Sequence, residues 1–191
     1  GTVSDDQAEA LGLVEYPKFS GLESDAVLVS PHLKISASYE WERDIRLFNA
    51  FHGLNNQIHV FVILFNATSG LQAALSQREY WRGGNKNEFT ICLGLDDAQN
   101  VKWCKAFSWC DLPQMETALE SWYLEHTHLD FKELTNWLEA NVSTLWKRKE
   151  FKDFKYLGKK LTPWKSALVW FLTLAACALF IYIAYYLTTT Q

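Results

Sequence analysis

Apolar and polar positions divide this chain into a patterned stretch that ends near Leu145 and an unbroken apolar run near the C-terminus. In the patterned part, Trp41, Ile45, Phe48 and Phe51 recur at helical spacing, with Glu42, Arg43, Asp44 and Arg46 between them. This predicts an amphipathic helix ending near Gly53. Ahead of it, Ala26–Ile35 is a short apolar stretch broken by Pro31, which suits an edge strand. After it, Ile58–Phe65 is apolar at nearly every position, the signature of a central strand covered on both faces. A helix from Ser69 to Trp81 follows, then the punctuation Arg82-Gly83-Gly84-Asn85-Lys86-Asn87. Strands are predicted at Glu88–Leu95 and Val101–Trp109, separated by Asp96–Asn100.

These two strands read as a hairpin. With the loop symmetric about Ala98, Phe89 faces Phe107, Leu93 faces Trp103 and Leu95 faces Val101 on an apolar face. The other face pairs Thr90 with Ala106, Cys92 with Cys104 and Gly94 with Lys102, all small or polar. A helix starts at Asp111-Leu112-Pro113 and carries Met115, Leu119 and Trp122. After His126-Thr127-His128 a second begins at Asp130, with Phe131, Leu134, Leu138, Val142 and Leu145 on its stripe.

From Ser166 the sequence reads SALVWFLTLAACALFIYIAYYL, and Lys165 is the last charged residue. About 20 apolar residues cross a hydrocarbon core of roughly 30 Å. Trp164 and Trp170 stand at one end and Tyr182, Tyr185 and Tyr186 at the other, as in an aromatic belt. The expected organisation is a loose lead-in (1–25), an α/β domain (26–146), a basic juxtamembrane segment (147–165), a transmembrane helix (166–187) and a tail (188–191). The fold class is therefore α/β: a small mixed sheet, one apolar central strand plus a hairpin, flanked by helices and followed by one C-terminal transmembrane helix.

Composition sharpens this picture. Of 191 residues, 49% are hydrophobic and 15% aromatic, with nine Trp, which excludes a mostly disordered chain. The chain opens on Gly1 and not Met, which reads as a processed or excised chain. The formal charge of −4 hides a division. Lys147, Arg148, Lys149, Lys152, Lys155, Lys159, Lys160 and Lys165, opposed by Glu150 and Asp153, form a +6 collar, whereas residues 1–146 carry −10. An acidic domain is a poor partner for nucleic acid; a basic collar suits an anionic membrane surface. Phe151, Phe154 and Leu161 give the collar an apolar side, interrupted by Gly158 and Pro163. Taken alone, the collar sets the domain on the cytoplasmic side.

Candidate chemistry is sparse. The glycines of Arg82–Asn87 offer amides for an anion, helped by Arg82 and Lys86, but the loop lacks the Gly-Lys-Ser/Thr end of a nucleotide loop. A plain connection is the competing reading. His126 and His128, with Asp130 nearby, fall short of a zinc set, and no cofactor or metal is expected. Asp96 and Asp97 suit a turn for backbone reasons alone. Cys92 opposite Cys104 makes a cross-strand disulfide geometrically conceivable, with buried free thiols as the alternative. A disulfide would favour an oxidising compartment. No nucleophile–base set stands out, so catalytic residues are unknown.

The stretch QIHVFVILFNATSGLQAALSQREYWRGGNKNEFTICLGLDDAQNVKW, with its apolar strand, helix ending in an aromatic residue and Gly/Asn loop, resembles the TPM domain over about Trp41 to Leu124. That family is an α/β sandwich of membrane-associated bacterial and thylakoid proteins. The resemblance implies a tethered domain facing the periplasm or a lumen, and some relatives are acid phosphatases or calcium-binding domains. Here Gly83-Gly84-Asn85-Lys86-Asn87 lacks the acidic residues of a calcium site, so no site carries over. The leading expectation is a membrane-anchored interaction or assembly domain of a bacterial or phage envelope system. Its partners would be the bilayer and other membrane or envelope proteins; the alternative is a TPM-like phosphatase or metal-binding domain.

Overall fold

A computed structural model describes residues 3–17, 25–110, 112–148 and 163–189. The chain forms two compact units, Gly1–Lys149 and Glu150–Gln191.

The first unit is a mixed α/β fold around a four-stranded sheet in the order β1-β2-β3-β4. Its strands are β1 (Val27–Val29), β2 (His59–Asn66), β3 (Glu88–Leu95) and β4 (Val101–Ser108). The first three are mutually parallel and β4 is antiparallel to β3. The helices of this unit are α1 (Asp5–Leu11), α2 (Tyr39–Asn56), α3 (Gly70–Tyr80), α4 (Pro113–Glu125) and α5 (Phe131–Leu145).

Alternation along β2 explains the layering, because successive strand residues point to opposite faces. Val60, Val62 and Leu64 pack with Ile45 and Phe48 of α2, Met115 and Leu119 of α4, and Leu134 and Leu138 of α5. Phe61, Ile63 and Phe65 pack on the other face with Ala73 and Ala74 of α3 and Ala8 of α1. Each fully buried Phe, Ile or Leu contributes roughly 1.5–3 kcal/mol, so this double-sided strand is the centre of stability. The connections β1–α2–β2 and β2–α3–β3 advance the same way across the sheet, yet α2 and α3 lie on opposite faces. The two crossovers therefore have opposite hand, and one departs from the usual right-handed rule.

The segment expected as a lead-in lies within the first compact unit. Ser4 and Gln7 form a capping box on α1. The buried Gln77 side chain then clamps Val14, accepting from its N–H at 2.8 Å and donating to its carbonyl at 2.9 Å.

The α2 helix continues past Gly53 to Asn56 and ends on Gln57 at φ 53°. Gly53 serves close approach: a Cβ there would sit 3.3 Å from the Ile58 carbonyl oxygen. Phe51 leaves the buried stripe and faces solvent, while His52 takes the inward place and stacks on Phe48 at 4.7 Å.

The hairpin register agrees at Leu95 and Val101, then slips by one through a bulge beside Gly94. Cys92 consequently faces Lys105, and Cys104 faces Leu93. Phe107 and Trp103 join the α3 face, so β3 is buried throughout instead of half-exposed.

The second unit contains α6, Pro163–Thr189, 27 residues long. Pro163 opens this helix, a position that tolerates its missing N–H. Among the described residues no helix is long and apolar enough to cross a membrane; the longest run of α6 with described side chains is residues 170–182. The expected collar residues Lys149, Lys152, Lys155, Lys159 and Lys160 lie outside the described residues.

Candidate functional site

The sheet has two chemically distinct edges. At the amino edge, where β2 and β3 begin, the loop Arg82–Asn87 turns the chain from α3 into β3. Arg82, Gly83 and Gly84 all have positive φ, at 54°, 83° and 76°. That run of left-handed residues is accessible because two of the three are glycine. It directs the loop amides inward. The N–H groups of Arg82, Gly83 and Gly84 donate to the carbonyls of Glu79, Arg78 and Trp81 at 3.0, 2.7 and 2.9 Å. The next amide, Asn85 N–H, donates to Glu88 Oε2 at 2.7 Å. The glycine amides expected to cradle an external anion are thus committed inside the protein, and the carboxylate held by the loop is the chain's own Glu88.

Glu88 is only 4% exposed, and burial of a carboxylate demands partners. Asn85 Nδ2 donates to its Oε1 at 2.9 Å and to the Tyr16 hydroxyl at 2.6 Å. The Tyr16 hydroxyl donates to Glu88 Oε1 as well. Burial and the adjoining Glu88 carboxylate push the Tyr16 pKa up, so this phenol stays protonated and acts as a donor. His59, the register partner of Glu88 on β2, has its ring 4.5 Å from Phe61. Burial lowers its pKa, with Glu88 pulling the other way. Tyr16 and Glu88 lie 72 residues apart in sequence. Neither belongs to a recognisable motif, and sequence patterning had no means of joining them.

At the carboxyl edge, where β1, β2 and β3 end, His32, Lys34, Asn66, Asp96, Asp97 and Gln99 line a cleft of about 310 Å³. Open α/β sheets commonly bind ligands outside the carboxyl ends of their strands. Asp96 is occupied structurally. It accepts the Ala98 and Asn100 amides at 3.0 and 2.8 Å and pairs with Lys102 at 2.9 Å. The Lys102 contact, with the Asn100 amide, draws its pKa down to about 2. Asp97 is exposed beside it.

The remaining candidates disperse. Cys92, Cys104, Cys110 and Cys177 are free thiols. The observed register sets Cys92 on the α3 face and Cys104 on the opposite face, so the conceivable Cys92–Cys104 bridge is excluded by alternation. Burial raises the pKa of both thiols. Cys110 donates from Sγ to the Lys86 carbonyl at 2.7 Å. His126 stacks on Trp122 at 4.3 Å, whereas His128 reaches Asn100 Oδ1 at 3.0 Å. They do not converge, and no group of three or more metal-ligating side chains occurs among the described residues.

No protein family, no curated protein and no solved structure matches the chain.

Proposed function

We propose that the chain is a membrane-anchored α/β domain that acts by interaction or assembly with other membrane or envelope proteins, with α6 as its anchor. The surface of α6 carries this reading. Leu168, Phe171, Leu172, Leu179, Phe180 and Ile181 are exposed, and at 3.6 residues per turn these positions go all the way round the helix. A helix that is apolar all round belongs in a core or in lipid. At 1.5 Å per residue, the 27 residues of α6 are about 40 Å long. The collar ahead of it favours a cytoplasmic domain by charge bias; the TPM-like resemblance favours the periplasm or a lumen.

Alkaline carbonate extraction of membranes containing the full chain tests the anchor. The chain should stay with the lipid pellet, and Leu174→Arg, costing about 2.5–3.5 kcal/mol at a helix centre, should release it. Complete extraction of the unaltered chain would remove the proposal.

One observation favours a second reading, a TPM-like phosphatase or metal-binding domain: the carboxyl-edge cleft that gathers His32, Asn66 and Asp97. Detergent-solubilised full chain would then hydrolyse a phosphate ester in the presence of a divalent cation, with loss in Asp97→Asn. Equal rates for chain, variant and buffer would dispose of it.

A further inference from the structure

The amino edge of the sheet gathers features that the anchor alone does not explain. The last turns of α2 end there, and they present Phe51 and Leu54 to solvent at 70% and 86% exposure. Because β4 runs antiparallel to β3, its end brings Trp109 to the same edge, 41% exposed. Trp109 shares a shallow cleft with Arg78, Arg82 and Gly83, and Lys86 belongs to the loop next to it.

The chain also leaves the first unit at this edge. Trp146 Nε1 donates to the Asn56 carbonyl at 2.9 Å, and the Trp146 ring meets Phe89, near the start of β3, at 6.2 Å. Arg148 donates to the Gln57 side chain. Lys147 and Arg148 are thus fixed beside the end of α2.

Charge follows the same geography. No acidic residue occurs between Asp44 and Glu79, or between Glu139 and Glu150. The acidic side chains near the edge are Glu15, Glu79 and Glu139, all exposed, with Glu139 sharing a groove with Phe51, then Glu116 and the buried, hydrogen-bonded Glu88. Glu116 is half-buried, accepts the Ser108 amide at 3.2 Å and is pushed by burial towards its neutral form. With Glu88 buried inside the loop, Arg78, Arg82, Lys86, Lys147 and Arg148 stand against four carboxylates at the surface. The acidic Asp96 and Asp97 stand at the opposite edge.

We infer that the amino edge is a docking face for an anionic lipid surface, with Phe51, Leu54 and Trp109 entering the interface and the exposed Arg82 and Lys147 meeting the headgroups. This rests on the anchored reading above. Exposed apolar and aromatic side chains ringed by Lys and Arg have the composition of an interfacial contact, and each basic residue near an anionic leaflet contributes about 1 kcal/mol. Proximity adds to it: residues 149–162, even fully extended, reach at most about 50 Å from Arg148 to the start of α6. Association of the edge with the bilayer is therefore intramolecular in effect and needs little affinity of its own. Docked in this way, the carboxyl-edge cleft faces away from the membrane.

The test uses the full chain in vesicles of phosphatidylcholine, with or without phosphatidylserine. Cys104→Ala and Cys177→Ala remove the two thiols that are not buried, and an environment-sensitive fluorophore is placed at Leu54→Cys or, as the distal control, Asp97→Cys. With phosphatidylserine, the probe at 54 should be blue-shifted and quenched by spin-labelled lipid several-fold more than the probe at 97. Reversal of charge by Arg82→Glu with Lys147→Glu should bring quenching at 54 down to its value in phosphatidylcholine alone. Equal, water-like signals at 54 and 97 in anionic vesicles overturn the inference, as does quenching indifferent to charge reversal. Alkaline extraction of the same samples separates the two claims. An unquenched probe on a resistant chain defeats docking and leaves the anchor; a quenched probe on an extractable chain defeats the anchor and leaves docking.

Discussion

His59 begins β2 with its Nε2 buried and without a hydrogen-bond partner among the described residues. Burial therefore favours the neutral ring in the folded chain. As pH falls, the unfolded chain takes up this proton first, so the folded state loses stability relative to it. Stability is retained above the ordinary value of 6.5 and declines below it until the folded ring also protonates. His59→Gln should flatten that acid arm as pH falls below the ordinary imidazole value of 6.5. Thermal midpoints in detergent across this range would show it; parallel curves for the two proteins would count against it. A second residue-scale expectation concerns Gly94, where an added Cβ would lie 2.1 Å from the Trp103 ring. That ring is held by its Nε1 donating to the Ala67 carbonyl at 3.0 Å. Gly94→Ala should cost about 1–3 kcal/mol through overpacking, read as a lowered denaturant midpoint with quenched or shifted Trp emission. An unchanged midpoint would mean that the ring has room to move.

Among the elements, the long ones were legible because their patterns repeat. The apolar run at β2 and the spacing of Phe131, Leu134, Leu138 and Val142 on α5 appear as expected, and the last four are buried. What pattern alone misses is a single inserted residue. The bulge between Gly94 and Leu95 leaves one strand end in the expected register and shifts every pair beyond it. A one-residue slip exchanges faces, which moves Cys104 away from Cys92. Likewise Phe51 fits the α2 stripe by spacing, yet His52 occupies the inward place because its ring stacks on Phe48. The Tyr16–Asn85–Glu88 cluster was illegible for another reason: its members come from separate segments with no periodicity linking them. The register makes a direct prediction. Denatured without reductant, the chain should show four reactive thiols, matching Cys92, Cys104, Cys110 and Cys177; two would demand a bridge and overturn the β3–β4 pairing.

At the scale of the whole molecule, the first unit is polarised along its strands. Basic and aromatic groups lie at the amino edge, where the chain departs; Asp96 and Asp97 lie at the carboxyl edge. The charge division was readable from composition as −10 against +6, but the place of Lys147 and Arg148 beside the end of α2 depended on folding. On the anchored reading proposed above, polarity along the chain also bears on which side of the membrane would hold the domain. The argument for an oxidising compartment rested on a Cys92–Cys104 bridge, and the observed register withdraws it. The collar is left as the stronger cue, since Lys and Arg close to a span favour the cytoplasmic side. Asp97→Cys in a Cys104→Ala, Cys177→Ala background puts an exposed thiol at the far edge, away from the buried Cys92 and Cys110. An impermeant thiol reagent should leave this residue unmodified in intact cells and label it after lysis. Labelling before lysis would place the domain outside, reverse the charge argument and shift the envelope partners to the periplasm or a lumen.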